Sequence, residues 1–127
     1  MKTICIDIDN TICTTQKSNY LKSKPKKRII NYINFLYQSG HIIKLYTARG
    51  MGRSNDNKNL AEKKFKKLTL RQLKSWKLKY HKVFFGKPSA DIYIDDKSLF
   101  YNTNWIKKLN KISISLYKYS KYSVTLL

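Results

Sequence analysis

The apolar positions of this chain come in short runs separated by stretches with helical spacing. Residues 2–8 predict a first strand, closing on an acidic pair, Asp7 and Asp9. Residues 14–24 are polar and basic and predict a loop or small flap. Pro25 stands where a helix can begin, and Ile29, Ile33, Leu36 and Tyr37 recur at helical spacing until Gly40 stops them. Residues 41–46 predict a second strand running into Thr47-Ala48-Arg49-Gly50, after which glycines at 50 and 52 mark a loop to Asn59. Leu60, Ala61, Phe65 and Leu68 carry the next helix. Thr69, with Gln72 three residues on, has the form of a capping box and predicts a further helix through Leu73 and Trp76. Residues 82–85 and 91–94 predict a third and a fourth strand, and 99–109 a last helix. Phe65, Trp76 and the aromatic series Tyr32–Tyr37 are expected in the core.

Strands alternating with helices predict an α/β fold, a Rossmann-like three-layer arrangement with a parallel sheet covered on both faces. Such sheets bind ligands at the carboxyl ends of their strands. The core is expected over 1–109. For 110–127, alternating Ile112, Ile114 and Leu116 predict an edge strand or a basic, tyrosine-rich tail. One connection is unusual: only Gly86 to Ala90 joins the third strand to the fourth, where a parallel crossover ordinarily takes a dozen residues or more. Either the strands are short and the link runs extended across the sheet, or the Phe84-Phe85 segment is not a parallel core strand.

A chain of 127 residues forms one domain and buries roughly 68% of the surface its unfolded form exposes, without a disulfide or metal staple. Cys5 and Cys13 have no paired spacing and follow no secretory leader, which points to a reducing cytoplasm. His41 and His81 stand alone, so no zinc site of Cys and His is expected. No apolar run has the length of a membrane span. The formal charge of +20 invites a nucleic-acid reading, but the excess is nearly all lysine, spread along the chain among Asn, Ile and Tyr, as an AT-rich coding sequence also produces. Under either origin, a field of this sign draws in anionic substrates.

Against that charge, the acidic residues carry information. Of 7 carboxylates, four stand at the ends of two apolar runs, Asp7 and Asp9 after Ile4-Cys5-Ile6, and Asp95 and Asp96 after Ile92-Tyr93-Ile94. Carboxylates gathered in this way ordinarily bind a cation. Asp7-Ile8-Asp9-Asn10-Thr11 fits the pattern D-x-D-x-T after a strand, Thr47 closes the second strand, and Lys87 lies in the turn Gly86-Lys87-Pro88. Taken singly, Thr47 reads as a cap and Lys87 as one of many lysines. Arg49 and Arg53 follow Thr47, where a guanidinium fork can grip a phosphate or carboxylate; the plainer alternative is an exposed loop charge.

Four elements in this order, over about residues 2–109, resemble the haloacid dehalogenase superfamily of phosphohydrolases. The resemblance implies Asp7 as nucleophile forming an aspartyl-phosphate, Asp9 as general acid and base, and Thr47 and Lys87 as ligands of the phosphoryl oxygens. It implies Mg²⁺ held by the Asp7 carboxylate, the Asp9 carbonyl and Asp96, with Asp95 ligating through water or orienting its neighbour. Asn10, Arg49 and Arg53 are expected to bind substrate. Core elements consume both stretches where the family inserts cap domains, so the site is expected to be capless. It would be open to a bulky phosphate or reliant on a second subunit to exclude water. The segments around Thr47, Lys87 and Asp95 are similar to small capless phosphatases of bacterial capsular polysaccharide and sugar-nucleotide biosynthesis, implying a phosphorylated sugar or sugar-linked phosphate as substrate. Two alternatives stay open: a phosphatase of nucleic-acid 3′ ends, and a basic binding module without catalysis.

Overall fold

A computed structural model describes residues 1–98, 104 and 106–108. Of the helix expected over 99–109, residues 106–108 are helical, and Lys108 N–H donates to the Asn104 carbonyl at 3.0 Å. The strand or tail expected over 112–127 lies outside the described residues. Met1–Asp96 packs as one compact unit and Lys97–Leu127 as a second. Both acidic pairs, Thr47, Lys87 and the two arginines after Thr47 belong to the first.

Four parallel strands make the sheet of that first unit: β1 (Thr3–Asp7), β4 (Ile42–Thr47), β5 (Lys82–Phe85) and β6 (Ile92–Ile94), in the order β5-β4-β1-β6. A separate antiparallel pair, β2 (Cys13–Thr14) and β3 (Lys24–Pro25), closes the base of the flap. Pro25 therefore belongs to β3, and α1 spans Lys27–Gln38. The Rossmann-like α/β class predicted from the sequence holds, with helices flanking a parallel sheet.

Both helical crossovers, β1-α1-β4 and β4-α2-β5 with α2 over Lys58–Ser75, step the same way across the sheet. Their right-handedness puts α1 and α2 on one face, where Ile30 and Ile33 of α1 and Leu73 of α2 meet Ile4, Ile6, Ile43 and Leu45 in one core. Full burial of Ile8, Ile12 and Ile43 contributes about 1.5–3 kcal/mol each. On α1 the stripe runs through Ile30 rather than Ile29, which is 37% exposed. Tyr32 and Phe35, expected in the core, project from the opposite side at 61% and 60% exposure. Adjacent isoleucines leave the phase of a helix ambiguous, and the helix settles on the phase that buries Ile30, Ile33, Leu36 and Tyr37 together.

Helix α2 runs unbroken over Lys58–Ser75, capped by Asn57, whose side chain accepts from the N–H groups of Asn59 and Leu60. The expected break at Thr69 does not occur. Thr69 and Gln72 are instead buried in the middle of the helix, where a loop side chain rather than a helix end claims their polar atoms.

The connection from β5 to β6 takes the first of its two forms. It steps back across the sheet, so the same handedness places it on the face away from α1 and α2. Passing β4 and β1 takes roughly 14 Å at about 4.8 Å per strand, and returning to the start of β6 roughly 13 Å more, a diagonal of about 20 Å. The chain between Phe85 and Ile92 spans about 23 Å when extended. It leaves β5 through Gly86 at φ +119°. Lys44, alternating with buried Ile43 and Leu45, projects from that face, and its ammonium donates to the Ser89 carbonyl at 3.0 Å.

Candidate active site

The registers of β1 decide which side chains meet. Asp7 pairs with Tyr46 of β4, and Ile6 pairs with Ile94 of β6, so the next residue, Asp95, comes alongside Asp7. Asp7, Asp95 and Asp96 each offer a carboxylate oxygen, all within 4.8 Å of one another. Nearly ninety residues of chain separate the two acidic pairs, and the sheet joins them at the carboxyl ends of adjacent strands. Burial first, and then the neighbouring Asp96 and Asp95, push the Asp7 carboxyl up from 3.8 to about 7, against a smaller pull from the Thr11 hydroxyl. Crowded carboxylates of this kind fit a hard divalent cation, and an all-oxygen set suits Mg²⁺ better than zinc.

Two hydroxyls hold this cluster. Tyr46 donates its phenolic hydrogen to Asp95 Oδ2, and burial with that carboxylate raises the phenol's own pKa. The Thr11 hydroxyl lies 3.2 Å from Asp7 Oδ2 and accepts from the Asp96 N–H at 3.1 Å. Beyond β1 the chain turns sharply, Ile12 N–H bonding the Ile8 carbonyl at 2.9 Å with Asn10 left-handed at φ 64°, a conformation asparagine tolerates. Buried Ile8 and Ile12 anchor this turn. Asn10 uses its side-chain carbonyl to accept from Thr15 N–H at 3.0 Å, and its backbone carbonyl accepts from the Lys26 ammonium at 3.2 Å.

The same turn sends Asp9 elsewhere. Its carboxylate meets Arg49, with Nη2 3.0 Å from Oδ1 and Nε 3.1 Å from Oδ2. Thr15 donates to Oδ1 at 2.7 Å, and the Thr47 hydroxyl lies 3.3 Å from Oδ2. The sequence predicts Arg49 in a loop, gripping substrate or facing solvent; its side chain is instead 0% exposed. On its far side Nη1 reaches Thr69 Oγ1 at 3.2 Å and Gln72 Oε1 at 2.5 Å, which accounts for the two polar residues within α2. Thr47, almost fully buried, also accepts from Arg49 N–H at 3.0 Å.

The remaining candidates make their described contacts away from the carboxylates. Arg53 is exposed, donates to the Ser18 carbonyl at 2.9 Å and stacks between Tyr20 and Phe65, so it pins the flap. Lys87 is exposed, with its ammonium 4.2 Å from the centre of the Tyr93 ring. The sequence assigns no part in the site to Thr11, Tyr46, Thr15 or Ser23, and it reads Thr69 and Gln72 as a helix cap. Of the first four only Thr11 carries a signal, as the last letter of D-x-D-x-T.

Between β1 and β5 the chain forms the flap, α1, the loop after Thr47 and α2, with no inserted domain. No helix among the described residues is long and apolar enough to cross a membrane.

No family model matches the chain, and no curated protein matches it. Among solved structures, a Vibrio cholerae structural-genomics target is similar at 22% identity and a TM-score of 0.65, over 89% of this chain and 100% of that one. A chain of the Pnkp1/Rnl/Hen1 complex is similar at 14% identity and a TM-score of 0.49, over 88% of this chain and 34% of that one. At such identities a likeness speaks of architecture, and the Vibrio cholerae structure shares this chain's α/β fold along nearly its whole length.

Proposed function

We propose that the chain is a Mg²⁺-dependent phosphomonoester hydrolase that works through an aspartyl-phosphate on Asp7. The observation that carries this reading is the meeting of Asp7, Asp95 and Asp96 within 4.8 Å, at the strand ends where an α/β sheet binds its ligands. Compatible with it is the haloacid dehalogenase pattern of the sequence, with Asp9 two residues after the nucleophile.

In this mechanism a carboxylate oxygen of Asp7 attacks phosphorus, and the bond from phosphorus to the ester oxygen breaks. Asp9 delivers a proton to that oxygen as it leaves. Asp9 then takes a proton from water as the water attacks the phosphorylated Asp7, releasing inorganic phosphate and restoring the carboxylate. Asp7, Asp96 and Asp95 would hold Mg²⁺, which supplies charge neutralisation between carboxylates and phosphate. Tyr46 and Thr11 keep that set aimed. Lys87, with Lys26 at the mouth, adds positive charge for the phosphoryl group.

With no domain inserted between β1 and β5, the substrate class that fits is a phosphate on a larger body, and the sequence resemblance favours a sugar or sugar-linked phosphate. A nucleic-acid 3′-phosphate is the second reading, favoured by the charge of +20 and by the lysines of the flap. Phosphate release would be measured across sugar phosphates, nucleotides and 3′-phosphorylated oligonucleotides, with Mg²⁺ and with chelator. Release from sugar phosphates that depends on Mg²⁺ and is insensitive to salt supports the first reading. Release from oligonucleotides that falls steeply with salt supports the second, and none from any ester removes both.

A further inference from the structure

We propose that Arg49 is the positioning residue for Asp9, a buried fork that fixes the carboxylate where it can protonate the leaving oxygen, and so sets how basic a leaving group the site expels. This rests on the hydrolase reading of the site. The guanidinium has five N–H donors, and protein atoms surround them all. Nε lies 3.2 and 3.1 Å from the two Asp9 oxygens, Nη2 3.0 Å from Oδ1 and 3.4 Å from Ser23 Oγ, and Nη1 reaches Thr69 and Gln72. The Tyr20 ring centre lies 5.0 Å from its central carbon. A side chain so enclosed has no donor to offer a substrate, and its chemistry is spent on Asp9.

The surrounding contacts brace this arrangement from three elements. Gln72 of α2 also donates to the Tyr20 carbonyl at 2.5 Å, and Thr15 bridges Asp9 Oδ1 at 2.7 Å and Ser23 Oγ at 2.6 Å. Arg49 thus ties the flap, the loop after β4 and α2 to one carboxylate. Oδ1 takes Nη2 at 3.0 Å and Thr15 at 2.7 Å, Nε is shared between the two oxygens at 3.2 and 3.1 Å, and the Thr47 hydroxyl lies 3.3 Å from Oδ2, so Oδ2 has the fewer partners. A proton on Oδ2 passes to the ester oxygen, which keeps the electron pair of its breaking bond to phosphorus and departs as a neutral alcohol. A lysine in place of Arg49 keeps the charge but loses the planar fork.

The test compares an alkyl phosphate, whose alkoxide must be protonated to leave, with p-nitrophenyl phosphate, whose phenolate leaves without a proton. Arg49→Met should lower kcat on the alkyl ester by about 100-fold or more and on the aryl ester by less than about tenfold, with KM little changed on both. Arg49→Lys should fall between and serves as the comparison if Arg49→Met fails to fold. A second readout needs neither metal nor activity: Asp9→Asn should lower the melting temperature by leaving a buried cation unpaired, and adding Arg49→Met to it should restore part of that loss. Equal losses on both esters, a raised KM, or additive losses of melting temperature overturn the assignment while leaving the hydrolase reading intact. A wild-type protein that hydrolyses neither ester in Mg²⁺ removes the hydrolase reading, and the assignment with it.

Discussion

The hydroxyl of Thr11 joins Asp7 to Asp96: it lies 3.2 Å from Asp7 Oδ2 and 3.5 Å from Asp96 Oδ1, and it accepts from the Asp96 backbone N–H at 3.1 Å. One small side chain thereby fixes the turn after β6 against the turn after β1. Groups that orient metal-binding carboxylates typically govern affinity by about 10–100-fold. Thr11→Val should weaken Mg²⁺ binding by that amount in isothermal titration while Thr11→Ser retains it. Unchanged affinity in Thr11→Val would show that the two turns hold the carboxylates without this hydroxyl.

The raised Asp7 carboxyl gives the metal-free protein a stability that depends on pH. Because its folded value, about 7, lies above its ordinary 3.8, the contribution is fully present below about pH 4 and is lost as pH rises through 7. That gap caps the effect at about 4 kcal/mol, and the solvent reaching Asp7 reduces it to about 1–2 kcal/mol. Urea unfolding in chelator between pH 4 and pH 8 should show this decline once the other carboxylates are accounted for by an Asp7→Asn control. Added Mg²⁺ should reverse it.

Asp7→Asn itself removes the proposed nucleophile and one charge of the cluster. Turnover should fall to background in a phosphate-release assay while the circular dichroism spectrum is unchanged. At pH 8 without metal, the variant should melt above the wild type, since the repulsion from Asp95 and Asp96 is relieved. Near-normal activity in this variant would falsify the assignment of the nucleophile.

Gly50 sits beneath α2 at φ +77°, where a Cβ would lie 2.5 and 2.6 Å from the Phe65 ring and 3.3 Å from Ala61 Cα. The ring can turn away, but the helix backbone has less freedom, and the left-handed conformation adds its own strain. Gly50→Ala should cost about 1–3 kcal/mol in denaturant unfolding. It should also reduce turnover, because the loop it distorts carries Arg49. A variant as stable as the wild type would mean that α2 shifts freely there.

The sheet was legible because its strands are short, mostly apolar runs, and the metal-binding candidates because scarce carboxylates at strand ends stand out against lysine. The Arg49 network was not legible. Thr69 and Gln72 spell a capping box as well as they spell two partners for a buried guanidinium, and only the approach of a loop twenty residues away distinguishes the two. An arginine among glycines and asparagines likewise reads as solvent-facing, and nothing in its spacing reveals that Asp9, Ser23 and Tyr20 close over it. The short return from β5 to β6 was decided by geometry that sequence leaves open: whether six residues reach depends on how far the strands are staggered.

Both thiols, Cys5 and Cys13, are free and fully enclosed, and burial pushes the Cys5 thiol up to about 11. Cys5 lies mid-strand between its partners Lys44 and Tyr93, and Cys13 packs under the Asp9 carboxylate with Sγ 3.8 Å from Oδ1. An alkylating reagent therefore reaches them only when the sheet or the flap base opens. Iodoacetamide uptake at each position, resolved by peptide mass, becomes an internal clock: Cys13 reports breathing around Asp9 and Cys5 the parting of the sheet, in a protein left entirely unmodified by mutation.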